Sequence, residues 1–151
     1  MAPAHVSLRA GRHSVAGGLY LVTFTTDGRR PHFADWDIAS EVSRLMTAPQ
    51  LWPSSRLLAW VLMPDHWHGL IELGEGDTLA ACVGRLKGRS ARLLRRRHPG
   101  VARIWAAAYH DRAVRAEEDV VAVARYIVLN PVRAALVRRV GDYPFWDAVW
   151  I

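Results

Sequence analysis

Two histidines flank one tryptophan in His66-Trp67-His68, the first group in the chain whose types and spacing suggest chemistry. On a strand, side chains alternate, so both imidazoles share a face. Their Cα atoms then lie roughly 6.5–7 Å apart, within reach of one metal ion. Trp67, Ile71 and Leu73 point the other way, into a core, while Leu70 and Glu72 share the histidine face. Taken alone, a His-x-His pair more often belongs to a core or a surface than to a metal. Tyr126 and Asn130, four apart, form a second group. On a helix of about 100° per residue they sit together, on the flank of a stripe made by Val120, Val121, Ala124, Ile127 and Val128. By spacing alone, Tyr126 also reads as a half-buried packing residue. Asn130, before Pro131, also reads as a helix terminator.

The third feature is charge. Residues 78–110 contain no carboxylate but hold Arg85, Lys87, Arg89, Arg92, Arg95, Arg96, Arg97 and Arg103. Such a block attracts polyanions, phosphate above all, although a solvated helix face explains a basic stripe equally well. The three features agree with one chemistry. Two neutral imidazoles and an amide oxygen can hold a metal that keeps positions open for phosphate oxygens. A tyrosine phenol is a nucleophile once deprotonated, and arginines hold a strand by its phosphates. The reaction that fits is a metal-assisted transesterification on nucleic acid.

Those groups need a frame of one domain. The chain has 151 residues, 51% hydrophobic and 23% charged, with a net charge of +6. That suits a single globular domain over 1–151, with 1–17 as a possible flexible N-terminal segment. The apolar run 57–63 is too short to span a bilayer, and 1–10 lacks the apolar stretch of a secretory signal. Cys82 is the single cysteine, which excludes an intrachain disulfide and any cysteine-rich zinc module. A cytoplasmic protein is expected, with no membrane partner.

The elements follow from periodicity. Residues 19–25 are β-branched and aromatic between glycine-rich turns and read as a strand. Residues 35–47 carry Ile38, Val42, Leu45 and Met46 at helical spacing. The runs 56–63 and 66–73, parted by Pro64-Asp65, predict a hairpin. A long helix over 78–97 has Leu79, Val83, Leu86, Leu93 and Leu94 on one side and arginines on the other. A strand is expected over 104–114. A helix is expected over 116–129, with Glu117, Glu118 and Asp119 in its first turn. Residues 142–151 read as an apolar clasp. The order β-α-β-β-α-β-α predicts an α+β, ferredoxin-like antiparallel sheet with helices on one face.

The segment Met63-Pro64-Asp65-His66-Trp67-His68-Gly69-Leu70-Ile71 resembles the His-hydrophobic-His motif of single-tyrosine HUH transposases. Arg125-Tyr126-Ile127-Val128-Leu129-Asn130-Pro131-Val132-Arg133-Ala134 resembles the tyrosine segment of their REP-associated branch. Tyr109-His110-Asp111-Arg112 and Asp142-Tyr143-Pro144-Phe145-Trp146 also have the look of that branch. The two motifs together, in this order and at this spacing, are specific. The resemblance runs from about Gly18 to the end of the chain.

It implies an HUH endonuclease fold and single-stranded, hairpin-forming repeat DNA as substrate. It implies a divalent ion, Mg²⁺ or Mn²⁺, on His66, His68 and Asn130, with Tyr126 as nucleophile. DNA contacts are expected from Arg85, Lys87, Arg89, Arg92 and Arg96. Cleavage would leave a 5′-phosphotyrosine and a free 3′-OH, with no nucleotide cofactor. A monomer beside the bacterial nucleoid is expected. Three positions depart from the pattern: Trp67 replaces a smaller β-branched residue, Asp65 a frequent asparagine, and Ala135 a common glycine. Glu72 reads as an exposed strand end rather than a partner of an imidazole, and Tyr109 and His110 are weaker candidates. Two rival functions are a domesticated binding protein of this fold that no longer cuts, and a hydrolase of small phosphoesters. The long basic window disfavours the second.

Overall fold

The computed structural model describes residues 14–115 and 118–151. Five strands form one antiparallel sheet: β1 (Leu19–Thr25), β2 (Arg56–Met63), β3 (His66–Glu72), β4 (His110–Ala113) and β5 (Trp146–Ala148). Their order across the sheet is β4-β1-β3-β2-β5. Four helices accompany them: α1 (Trp36–Met46), α2 (Leu79–Arg97), α3 (Val120–Val128) and the single turn α4 (Asn130–Arg133). The expected α+β class, hairpin and antiparallel sheet are all present. Residues 1–13 of the expected N-terminal segment lie outside the described residues. Nearby, Ser14 Oγ accepts the Leu79 N–H at 3.3 Å and Gly17 N–H donates to Leu73 O at 2.7 Å.

Strand register assigns the faces. Tyr20, Val22 and Phe24 of β1 pair with Ile71, Gly69 and Trp67 of β3. Thr23 pairs with His68 and Thr25 with His66, so these four share the other face. The first face is aromatic and dry. Phe24 stacks on Trp67 at 5.1 Å and meets Trp105 edge-on at 4.7 Å, and Trp105 stacks on Phe33. Helix α2 closes over this cluster: Ser90 Oγ accepts the Trp105 indole N–H at 2.8 Å and Lys87 Nζ lies over Phe24. Helix α1 packs beside α2. Helix α3 packs on β2 and β3, and its Ala122, Val123 and Tyr126 line a groove with Leu21, which lies on the histidine face. Both faces therefore carry helix, a refinement of the one-sided arrangement expected.

Local signals explain most boundaries. Asp35, Thr78 and Asp119 cap α1, α2 and α3 by accepting backbone N–H groups of the first turn. Three expectations need correction. The strand over 104–114 shrinks to His110–Ala113, with Trp105 making an isolated bridge to Thr26. Trp105 turns into the core, and Lys87 Nζ takes the carbonyls of Ala106 and Ala108, so those acceptors bind a side chain rather than a ladder. Helix α3 starts at Val120 rather than at 116. Glu118 lies before its cap and pairs with Arg112, and Glu117 lies outside the described residues. The C-terminal clasp is partly a strand: β5 pairs with β2 at the sheet edge, while Tyr143 and Phe145 are buried beside it. The Tyr143 hydroxyl donates to Leu62 O at 2.6 Å.

Gly69 is the tightest point of the aromatic face. A Cβ there would sit 2.1 Å from the Trp67 ring, and Trp67 is fully buried with Phe24 stacked on it. Gly69→Ala is expected to destabilise the fold by about 2–3 kcal/mol, read from urea unfolding. Gly84→Ala, in the exposed interior of α2 with no atom within 4 Å of the new methyl, is expected to stabilise by about 0.5–1 kcal/mol.

Candidate active site

The β2–β3 turn delivers the first histidine and strand alternation delivers the second. The rings of His66 and His68 lie 4.7 Å apart, edge to face at 87°. Each Nδ1 is engaged. His66 Nδ1 is 2.7 Å from Asp65 Oδ1, and His68 Nδ1 is 2.7 Å from Thr23 Oγ1 on the neighbouring strand. Arg29 Nε holds the other Asp65 oxygen at 3.0 Å. With hydrogen on Nδ1, the ligating lone pair of each ring sits on Nε2.

The electrostatics favour a neutral His68 ring. Burial, followed by the charges of His66, Arg133 and Arg29, lowers the His68 pKa to about 3. A neutral imidazole is the form that binds a metal. Burial pushes the Asp65 carboxyl upward, but the hydrogen bonds and charges of His66 and Arg29 outweigh it and hold it below the usual carboxylate range. The pair therefore suits a divalent cation. Among the described residues no cluster of three or more His, Cys, Asp or Glu offers a complete cage. A cation held there would need an amide oxygen, water or phosphate to complete its coordination.

Helix α3 brings Tyr126 to the histidine face, where it shares a groove with Leu21 and the residue is 54% exposed. The Arg133 guanidinium lies 4.1 Å from the centre of the Tyr126 ring and also donates to the Tyr126 backbone carbonyl. Asn130 stands where α3 gives way to α4. Its Nδ2 donates to Ile127 O at 3.2 Å, so its amide oxygen is the end able to ligate a cation. The turn after α4 closes with Ala135 at φ 59, where the Leu136 N–H reaches Pro131 O at 2.9 Å. That left-handed conformation suits glycine.

The basic residues divide. Helix α2 lies across the sheet from the histidines. Arg85 is not a solvated cation: its Nη1 and Nη2 clasp the Asp77 carboxylate at 3.1 and 2.7 Å, and its Nε donates to Leu51 O. Ser55 donates to the same carboxylate at 2.6 Å, and the Asp77 side chain is only 4% exposed. Lys87 is held by the two carbonyls already named. Arg89, Arg92 and Arg96 are exposed. Glu72 pairs with Arg56 at 3.4 Å, as a strand-end residue does. His110 pairs with Thr23, which places it on the histidine face two strands from His68. Sequence reading missed Thr23, Arg29 and Arg133. Of these only Thr23 leaves a local trace, as a polar residue within an apolar strand. Asp65 was legible as a turn former but not as the anchor of His66.

Comparison with known proteins gives one family. A family model described as IS200-like transposase matches residues 14–130. A REP-associated tyrosine transposase of Escherichia coli (strain K12) is 32% identical over 88 residues, 58% of this chain and 50% of that protein. The match thus spans about half the length of that relative. A solved REP-associated tyrosine transposase bound to a REP hairpin superposes with a TM-score of 0.71 at 24% identity, covering 89% of this chain and 79% of that one. At that identity the likeness concerns the fold. A solved Deinococcus radiodurans R1 chain with a provisional transposase assignment gives a TM-score of 0.54 at 26% identity, over 78% of this chain and 93% of its own.

Two stability measurements follow from this geometry. Arg85, by its hydrogen bonds, holds the Asp77 carboxyl below its ordinary value, with Ser55 and the Thr78 N–H adding to it against burial. Its contribution is present above about pH 4 and is lost as pH falls through the folded value. Asp77→Asn is expected to cost about 1–3 kcal/mol at pH 7 and to flatten the acid limb of stability against pH below about 4. Ala135→Gly is expected to gain about 0.5–1 kcal/mol in thermal or urea unfolding, because it relieves the left-handed alanine.

Proposed function

Since the chain belongs to the IS200-like transposase family, we propose that it cleaves and rejoins single-stranded, hairpin-forming repeat DNA in the manner of a REP-associated transposase. The observation that carries this reading is the pair of Nδ1-anchored imidazoles on the same sheet face as the helix bearing Tyr126.

The chemistry is a transesterification. The Tyr126 phenol loses its proton to solvent, and its oxygen attacks a backbone phosphorus. The bond from phosphorus to the 3′-oxygen breaks, and that oxygen takes up a proton. A 5′-phosphotyrosine and a 3′-OH result, and attack by a 3′-OH on the same phosphorus reverses the step. The phosphodiester energy is conserved, so no nucleotide is consumed. His66, His68 and the amide oxygen of Asn130 would hold Mg²⁺ or Mn²⁺, which supplies Lewis-acid polarisation of the phosphate. Asp65 and Thr23 keep the two rings oriented. Arg89, Arg92 and Arg96 remain candidates for strand contacts remote from the reacting atoms, whereas Arg85 and Lys87 serve the fold first. The reading treats 1–151 as one domain, acting as a monomer in the cytoplasm beside the bacterial chromosome.

The test is covalent capture. Labelled single-stranded hairpins from repeats near the gene are incubated with the protein and Mg²⁺ or Mn²⁺, then denatured. A metal-dependent protein–DNA band is expected, lost by about 100-fold or more in Tyr126→Phe and in His66→Ala. Tight hairpin binding without a band would favour the domesticated binding protein. A band that persists in Tyr126→Phe would move the nucleophile elsewhere, with Tyr109 next.

A further inference from the structure

The tyrosine is gripped by a residue that neither the family match nor the metal chemistry assigns. Arg133 sits seven positions after Tyr126, beyond the break at Leu129. Its guanidinium carbon lies over the Tyr126 ring, 4.1 Å from the ring centre, and one guanidinium nitrogen, Nη2, donates to the carbonyl of the same residue. One side chain thus touches both the backbone and the ring of one neighbour. A cation over an aromatic face is attracted by the ring quadrupole, and a planar guanidinium adds orientation that an ammonium lacks.

The backbone makes this reach possible. Leu129 N–H closes on Arg125 O and ends α3, and Pro131 begins the short turn of α4. Arg133 N–H bonds Leu129 O at 3.0 Å, so the turn is firmly built, and left-handed Ala135 ends it. The bend returns Arg133 to the ring two turns behind it. Arg133 therefore contacts the tyrosine and lies close enough for its charge to be felt at His68. Tyr126 as a residue is more than half exposed, so a clamp matters to the orientation of its ring.

We propose that Arg133 is a positioning residue that holds the Tyr126 ring in register with the histidine pair, so that the phenol oxygen is aimed before a strand arrives. The role rests on the strand-cleavage reading for its consequence, but not for its existence: the contact is present without DNA. A guanidinium has five N–H donors, so the bond to one carbonyl does not exhaust it.

The experiment has two arms on the full chain. In the first, all four tyrosines carry 3-fluorotyrosine and are followed by fluorine NMR without DNA or metal. The Tyr126 signal is identified by its loss in Tyr126→Phe. It is expected to shift in Arg133→Gln, while Tyr20, Tyr109 and Tyr143 stay in place and report an intact fold. In the second, hairpin affinity and the single-turnover rate of adduct formation at saturating DNA are measured for Arg133→Gln and Arg133→Lys. The rate is expected to fall about 10–100-fold in Arg133→Gln with affinity little changed, as misplacement of a reacting group does. Arg133→Lys is expected to recover part of that rate, since an ammonium can still lie over the ring.

A Tyr126 signal unmoved in Arg133→Gln would overturn the clamp. So would a loss of affinity with an unchanged saturated rate, which would make Arg133 a phosphate contact only. If the parent protein forms no adduct, the strand-cleavage reading fails, and the fluorine arm still decides the clamp by itself.

Discussion

The seat of Trp67 on Gly69 is the constraint on which the rest of the molecule depends. The indole lies where a Cβ of Gly69 would be, with Phe24 stacked over it. It is fully buried, and its Nε1 has no hydrogen-bond partner among the described residues. An unpaired indole N–H costs about 1–3 kcal/mol, which the burial and stacking of so large a ring must offset. What this secures is register. In a strand a slip of one residue sends every side chain to the opposite face. With Trp67 locked inward, His66 and His68 have only one direction left, and Thr23 and Asp65 meet them there. The aromatic cluster thus specifies the polar site on the other side.

Charge on the histidine face serves two ends at once. Burial does most to disfavour a proton on His68, and the positive field of Arg133 and Arg29 adds to it after His66. The same field favours the approach of phosphate. Attraction for a polyanion and readiness to bind a cation are usually opposed. Here they are reconciled because the arginines act on His68 through space, while Asp65 gives His66 a compensating carboxylate.

Local patterns in the chain were legible wherever one period governed the residues. The alternation through 66–72, the 3.6-residue spacing in α1 and α2, and the Pro64-Asp65 turn all appear in the structure as read. Misreadings arose where a long-range partner decided the outcome. Arg85 looks like its neighbours in sequence, yet Leu51 O and the Asp77 carboxylate, itself held by Ser55, converge on it. Ile104, Trp105 and Tyr109 are strand-forming types, yet Lys87 and Ser90 draw this segment out of the ladder. Asn130 has two sufficient explanations, and the structure retains both: its amide nitrogen bonds Ile127 O while its amide oxygen can still ligate. Arg133 could not be found from spacing at all, because a helix break lies between it and the ring it covers.

Exposed arginines of α2 and the two histidines lie on opposite sides of a sheet, and packed layers stand roughly 10 Å apart. Anything long enough to touch both must turn around a rim, and the two rims differ. One is β4, with His110 and Arg112; the other is β5, with Trp146 and Asp147. Double-stranded DNA keeps its direction over about 50 nm and cannot fold around so narrow an edge. A flexible single strand can. Bending stiffness, quite apart from base sequence, would then sort the ligands able to engage both sides of this protein together.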